Sequence, residues 1–132
     1  MSASNTAKPR VAVVEDDKDL RNCVIDFLAF HDYPVWGVGS GEELLQRLAQ
    51  EDVDVLLLDV GLPGEDGLAV ARQMSGRASL AVFLVSGHAS SDARQAGLDT
   101  GADGYLVKPI DLRALMTTID AAWRRISRQR TP

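Results

Sequence analysis

Residue types that handle charged oxygen recur at widely separated places in this chain: Glu15, Asp16 and Asp17, the lone acid Asp59, the hydroxyl of Ser86 and the amine of Lys108. Asp59 closes the apolar run "VLLLD" and precedes a Gly- and Pro-containing loop, "VGLPGEDG". A carboxylate beside so dry a segment is costly unless a cation meets it. Clustered carboxylates repel one another, and a hard divalent cation that prefers oxygen ligands relieves that repulsion. A carboxylate can also act as a nucleophile and form an acyl phosphate. Phosphoryl transfer asks mainly for positioning and for neutralisation of charge on the equatorial oxygens. A metal, a serine hydroxyl and a lysine ammonium would supply one contact to each of three such oxygens. Singly, each residue is ordinary: Asp17 suits a helix cap, Ser86-Gly87 a turn, and Lys108-Pro109 a solvated lysine. Their joint meaning depends on whether the fold brings them together.

The apolar pattern predicts that it does. Short β-branched or aliphatic runs at 10–16, 33–40, 52–59, 80–87 and 104–108 read as strands. The run at 52–59 is continuous rather than alternating, as in a parallel sheet covered on both faces. Pro34 restricts the second strand to an edge, or itself to the strand's first position. Helical spacing marks 18–31, with Leu20, Val24, Phe27, Leu28 and His31 on one stripe. Ser40 and Glu43 form a capping box before the second helix. Helices are further predicted over 68–74 and 91–101, the latter with Gly101 as C-cap. The last begins at Asp111 and carries Leu112, Leu115, Met116, Ile119, Trp123 and Ile126. Strict alternation of five strands with five helices predicts a doubly wound α/β fold with a parallel sheet. All strands then end on one edge, where ligands gather. Glu15, Asp16 and Asp17 end the first strand, Asp59 the third, Ser86 the fourth and Lys108 the fifth. The second contributes nothing reactive.

With 132 residues the chain is expected to form one domain over 10–127, after a loose N-terminal tail at 1–9. Residues 128–132 read as a C-terminal tail or the start of a linker. A net charge of −5 argues against direct contact with nucleic acid. No stretch is long and apolar enough for a membrane span. Cys23, the single cysteine, cannot form an internal disulfide, which points to a reducing, cytoplasmic setting.

Four stretches in register, "VVEDD", "LLLDVGLPGEDG", "LVSGHA" and "GADGYLVKP", make residues 10–127 similar to the receiver domain of bacterial two-component response regulators. The resemblance implies the flavodoxin-like strand order 2-1-3-4-5 and an acceptor for a phosphoryl group at Asp59. It implies Mg²⁺ (or Mn²⁺) held by Asp16, Asp59 and the backbone carbonyl of Gly61, with Glu15 acting mostly through a water. Ser86 and Lys108 would bind phosphoryl oxygens, and Tyr105 would turn inward as Ser86 moves. The Lys108-Pro109 bond would be cis. Gly61 and His88 stand where the family tunes the lifetime of the phosphoryl group. Because the lysine serves phosphoryl oxygens, Lys108→Ala is expected to leave the fold largely intact.

The implied partners are a sensor histidine kinase or phosphotransfer protein and a downstream protein or output domain. The latter would meet the face of the fourth helix, fifth strand and fifth helix. A phosphorylation-dependent homodimer is compatible with this reading. However, Gly104 and Thr118 replace an acid and an arginine that commonly pair across the symmetric dimer of regulators with winged-helix outputs. Three alternatives compete. A haloacid-dehalogenase-type phosphatase needs an acid two residues after the nucleophile, where Gly61 stands. A flavodoxin-like cofactor carrier needs a phosphate loop after the first strand, where "EDDKD" would repel phosphate. A degenerate receiver would bind partners without phosphorylation, although every acceptor, metal, hydroxyl and lysine position is filled.

Overall fold

The computed structural model describes residues 8–130. Residues 1–7 of the expected N-terminal tail, and residues 131 and 132, lie outside the described residues. The elements alternate: β1 (Val11–Val14), α1 (Lys18–Phe30), β2 (Val35–Val38), α2 (Gly41–Leu48), β3 (Val55–Asp59), α3 (Gly67–Ser75), β4 (Ala81–Ser86), α4 (Ser91–Leu98), β5 (Gly104–Val107) and α5 (Leu112–Arg130). The strands form one parallel sheet in the order β2-β1-β3-β4-β5. This is the doubly wound α/β architecture expected from the alternation, with β2 and its Pro34 at an edge. No helix among the described residues is long and apolar enough to cross a membrane.

Successive strand residues point to opposite faces, and here both faces are dry. Val11, Val13, Val55 and Leu57 pack with Val24 and Leu28 of α1 and with Leu115 and Ile119 of α5. Ala12, Val14, Leu56 and Leu58 pack on the other side with Leu44 of α2 and Ala71 and Met74 of α3. This two-sided burial is why "VLLL" lacks alternation. At roughly 1.5–3 kcal/mol for each large aliphatic side chain buried, the central strands fix the sheet that carries the site.

Local chemistry sets the helix starts. Asp17 accepts from the backbone N–H of Asp19 and Leu20. Ser40 accepts from Glu43 N–H, while the Glu43 carboxylate reaches back to Gly39 N–H at 3.1 Å. Asp66, Ser90 and Asp111 cap the later helices in the same way. Each such cap is worth about 1 kcal/mol.

Most boundaries shift by a residue or two from the sequence reading, and four of the differences stand out. The third strand begins at Val55 and not at 52, and the Asp54 side chain just before it holds Arg10. Arg10 donates to it from its backbone N–H at 2.8 Å and from Nε and Nη2 at 3.0 Å each. That carboxylate in turn raises the pKa of the Arg10 guanidinium, mainly through its hydrogen bond. α4 stops at Leu98, three residues before Gly101, which instead takes a positive φ of 95° in the following turn. α5 runs on to Arg130, into the stretch read as a C-terminal tail. Finally, the end of the expected tail is packed: Pro9 is buried, and the Lys8 ammonium lies 4.7 Å from the Tyr33 ring centre.

Candidate functional site

The register of the ladder decides which side chains meet. Val14 pairs with Leu58, so Glu15 and Asp59 end β1 and β3 at the same level. Asp59 pairs with Val85, and Ser86 with Val107, which puts Ser86 and Lys108 one step further along the same edge. The result is one cleft lined by Glu15, Asp16, Asp17, Asp59, Gly61, Ser86, His88 and Lys108, among others. Tyr105 lines an adjoining hollow that shares Ser86 and His88. Every candidate from the sequence thus lies in the cleft or beside it.

Asp59 is buried, with 4% of its surface exposed, and is met from two sides. The Lys108 ammonium lies 3.2 Å from its Oδ2, and Gly61 N–H donates to its Oδ1 at 2.9 Å. The same ammonium lies 3.0 Å from Glu15 Oε1, so the lysine bridges two buried acids. The sequence reading assigned Lys108 to phosphoryl oxygens, and the pair with Glu15 is an addition. Burial holds the Glu15 carboxyl above its ordinary pKa; the hydrogen bond from Lys108 pulls it down, and the neighbouring Asp59 pushes it up. For Lys108, burial works against the ammonium but is outweighed by Glu15 and Asp59, which raise its pKa. The Lys108-Pro109 bond is cis.

Glu15, Asp16 and Asp59 each offer a carboxylate oxygen, all within 4.8 Å of one another. Opposite oxygen ligands of one Mg²⁺ lie about 4.2 Å apart, given bonds of about 2.1 Å. This all-oxygen, multiply anionic set therefore fits a hard divalent cation with little adjustment. Asp16 is the exposed member, while Glu15 and Asp59 are buried.

Ser86 is also buried, and its Oγ accepts from His88 N–H at 3.0 Å. The Tyr105 ring is turned inward, 7% exposed, with its hydroxyl donating to the His88 carbonyl at 2.7 Å. The resemblance implies a ring that turns inward as Ser86 moves; here it is inward while Ser86 is held by the backbone. Two features account for this pose. The His88 carbonyl gives the hydroxyl a partner, and Gly97 of α4 leaves the ring its space, since a Cβ there would lie 2.8 Å from Tyr105 Cδ1.

Three residues escaped the sequence reading. Glu65 accepts from Gly41 N–H at 2.8 Å and ties the loop after Asp59 to the start of α2. Gly67 packs against the backbone of Val60, the residue after Asp59. Arg21 donates to the Glu15 carbonyl. Only the last left a usable signal, the two glycines of "WGVGS", because glycine in a strand marks a close approach.

Comparison with known proteins agrees with this geometry. The model of the family described as "Response regulator receiver domain" matches residues 11–120. The chain is 34% identical over 123 residues to the transcriptional regulatory protein AruR of Pseudomonas aeruginosa, covering 89% of this chain and 50% of AruR. It is 39% identical over 117 residues to the response regulator MprA of Mycobacterium tuberculosis, covering 88% of this chain and 51% of MprA. The chain therefore spans about half the length of these curated relatives. Among solved structures, the receiver domain of the TMAO respiratory system response regulator TorR superposes with a TM-score of 0.84 at 31% identity, over 89% of this chain and 98% of that one. A CheY-like receiver domain protein from Methanospirillum hungatei gives a TM-score of 0.85 at 25% identity, over 93% and 99%. With the strand order, the acidic strand ends and these relatives in agreement, the chain belongs to the response regulator receiver domain family of two-component systems.

Proposed function

We propose that this domain accepts a phosphoryl group on Asp59 from the phosphohistidine of a sensor kinase or phosphotransfer protein. Asp59 Oδ attacks phosphorus, the P–N bond breaks, and the imidazole nitrogen leaves with the bonding pair. The observation that carries the reading is the setting of Asp59, a buried carboxylate flanked by two further acids, a lysine ammonium and a serine hydroxyl. Glu15, Asp16, Asp59 and the Gly61 carbonyl would hold Mg²⁺, which supplies charge neutralisation to the transferring oxygens. Lys108 would move from the Asp59 carboxylate to a phosphoryl oxygen, and Ser86 would exchange its bond with His88 N–H for another. Those shifts bias the α4–β5–α5 face, where Tyr105 sits, between two partner-binding surfaces. The phosphatase alternative lacks its general acid, since the residue two positions after Asp59 is Gly61.

The test is intact-mass measurement after incubation with acetyl phosphate and Mg²⁺. Wild type should gain one phosphoryl group, and Asp59→Asn or added EDTA should abolish the gain. No gain in wild type would favour the degenerate receiver. Gly61 also bears on lifetime: a Cβ there would sit 3.5 Å from Asp59 Oδ1, so a longer side chain at this position would cover the acceptor where glycine does not. Gly61→Met should slow loss of the phosphoryl mass several-fold, and an unchanged decay would remove Gly61 from that role.

A further inference from the structure

Glu15 is held at every polar group. Its N–H donates to the Val38 carbonyl at 3.1 Å, its Oε2 accepts from Asp17 N–H at 3.1 Å, and its Oε1 faces Lys108. The remaining group, its carbonyl, accepts from Arg21 Nη1 at 2.7 Å, within the range of charge-assisted bonds. Arg21 belongs to α1, yet its arm lies along β2. A Cβ on Gly37 would come within 2.6 Å of Ile25 Cδ1, 3.0 Å of Arg21 Cγ and 3.1 Å of Arg21 Cδ, and one on Gly39 within 3.3 Å of Glu43 Oε1 and 3.5 Å of Arg21 Nη1. Gly37 lies in β2 and Gly39 just past its end, and both stand against the Arg21 side chain. They form a trough that a longer residue would fill.

We propose that Arg21 is a positioning residue for the metal site. By fixing the Glu15 carbonyl it orients the Glu15–Asp16 peptide, and with it the direction in which both carboxylates enter the cleft. Asp16 depends on this most, because it is exposed and has little packing of its own to aim it. The inference rests on the metal reading given above, but not on phosphorylation. Charge and positioning make opposite demands here. As a mere positive charge near three acids, Arg21 would weaken Mg²⁺ binding, and its removal would tighten it. As a positioning residue, its removal loosens the site.

Calorimetric titration of the full chain with MgCl₂ separates the two, alongside thermal melts in EDTA. Arg21→Ala should lose about 10-fold in Mg²⁺ affinity, the low end of the effect of removing an outer partner of a metal ligand. Arg21→Lys, which keeps a donor and the charge, should recover part of the loss. Gly37→Ala, made in an Ile25→Val background that removes the nearer Cδ1, should lower affinity several-fold relative to Ile25→Val alone, with the guanidinium still present, by pushing the arm off its course. This variant also decides the matter should Arg21→Ala fail to fold. Unchanged or tighter affinity in Arg21→Ala, or in Gly37→Ala where only that variant folds, overturns the proposal. Wild type that binds no Mg²⁺ overturns it together with the metal reading. Wild type that binds Mg²⁺ but gains no mass from acetyl phosphate, with the variants weakened as expected, supports it while the phosphoryl reading falls.

Discussion

Lys108→Ala is expected to lose on the order of 3 kcal/mol of stability in EDTA at neutral pH, and to regain most of it when Mg²⁺ is added. The ammonium stands 3.0 Å from Glu15 and 3.2 Å from Asp59, and both carboxylate side chains are only 6% exposed. Without it, two buried like charges face each other with no counter-charge, and breaking a buried pair costs roughly 3–5 kcal/mol. The lower end applies because the lysine side chain itself is 27% exposed. Viewed from the sequence, this lysine serves phosphoryl oxygens and its loss spares the fold; the bridge to Glu15 reverses that expectation. Mg²⁺ should bind the variant more tightly, since a competing cation is gone. A ligand at about 100 times its Kd adds about 2.7 kcal/mol.

The pH dependence has a definite sign. The Glu15 pKa is raised in the folded state, mainly by burial, so the native protein holds that proton more firmly than the unfolded chain. Stability from this group therefore falls as pH rises from the ordinary glutamate range through the raised value. Removing Lys108, which pulls the value down, widens the window. The deficit of the variant should be largest at neutral pH and shrink on acidification. Urea melts with and without Mg²⁺ measure it, and equal stability of variant and wild type in EDTA at neutral pH would refute the bridge.

Gly67→Ala should be at least as damaging, at about 3 kcal/mol or more, the upper end of overpacking costs. A Cβ at this position would lie 2.4 Å from the Val60 carbonyl oxygen, 2.6 Å from its Cα and 2.8 Å from its carbonyl carbon. These are backbone atoms, so no rotamer change relieves the clash. Nor is Val60 free to retreat, since its N–H donates to the Val85 carbonyl of β4 at 3.1 Å. Relief must displace either α3 or the residue joined to Asp59, and Mg²⁺ affinity should fall along with stability. Gly64 in the same loop provides the control. It has a positive φ of 71° with nothing near its missing Cβ, so Gly64→Ala meets only the left-handed backbone penalty of about 1–2 kcal/mol. Should the two variants prove equally stable in denaturant titrations, the close approach at Val60 carries no weight.

What the sequence made legible follows from how each feature is encoded. Five strands and their helices were readable because burial on both faces writes continuous apolar runs, and the strand ends then aligned the reactive residues. Boundaries were less readable because they depend on a few local groups: β3 begins only after Asp54, whose side chain takes three bonds from Arg10, and α4 closes at Leu98 before its glycine. Glu15, Asp16, Asp59, Ser86 and Lys108 could be placed at one sheet edge in advance, since each ends a strand or lies within two residues of its end. The Lys108–Glu15 bridge could not, because it depends on register between strands far apart in the chain. The Tyr105 pose was hidden for a related reason, being set by space at Gly97 and a carbonyl at His88 rather than by its own type.

The sheet order also has a consequence for synthesis. β1 and β3 lie side by side at the centre of the sheet, whereas β5 forms its far rim beyond β4, and Lys108 follows Asp59 by 49 positions. In a chain emerging from the ribosome the acids are thus made well before their lysine exists. The growing end then meets a patch of unbalanced negative charge that favours docking of the last strand and helix. The charge balance around Asp59 and Glu15 is therefore complete only once translation has passed Lys108.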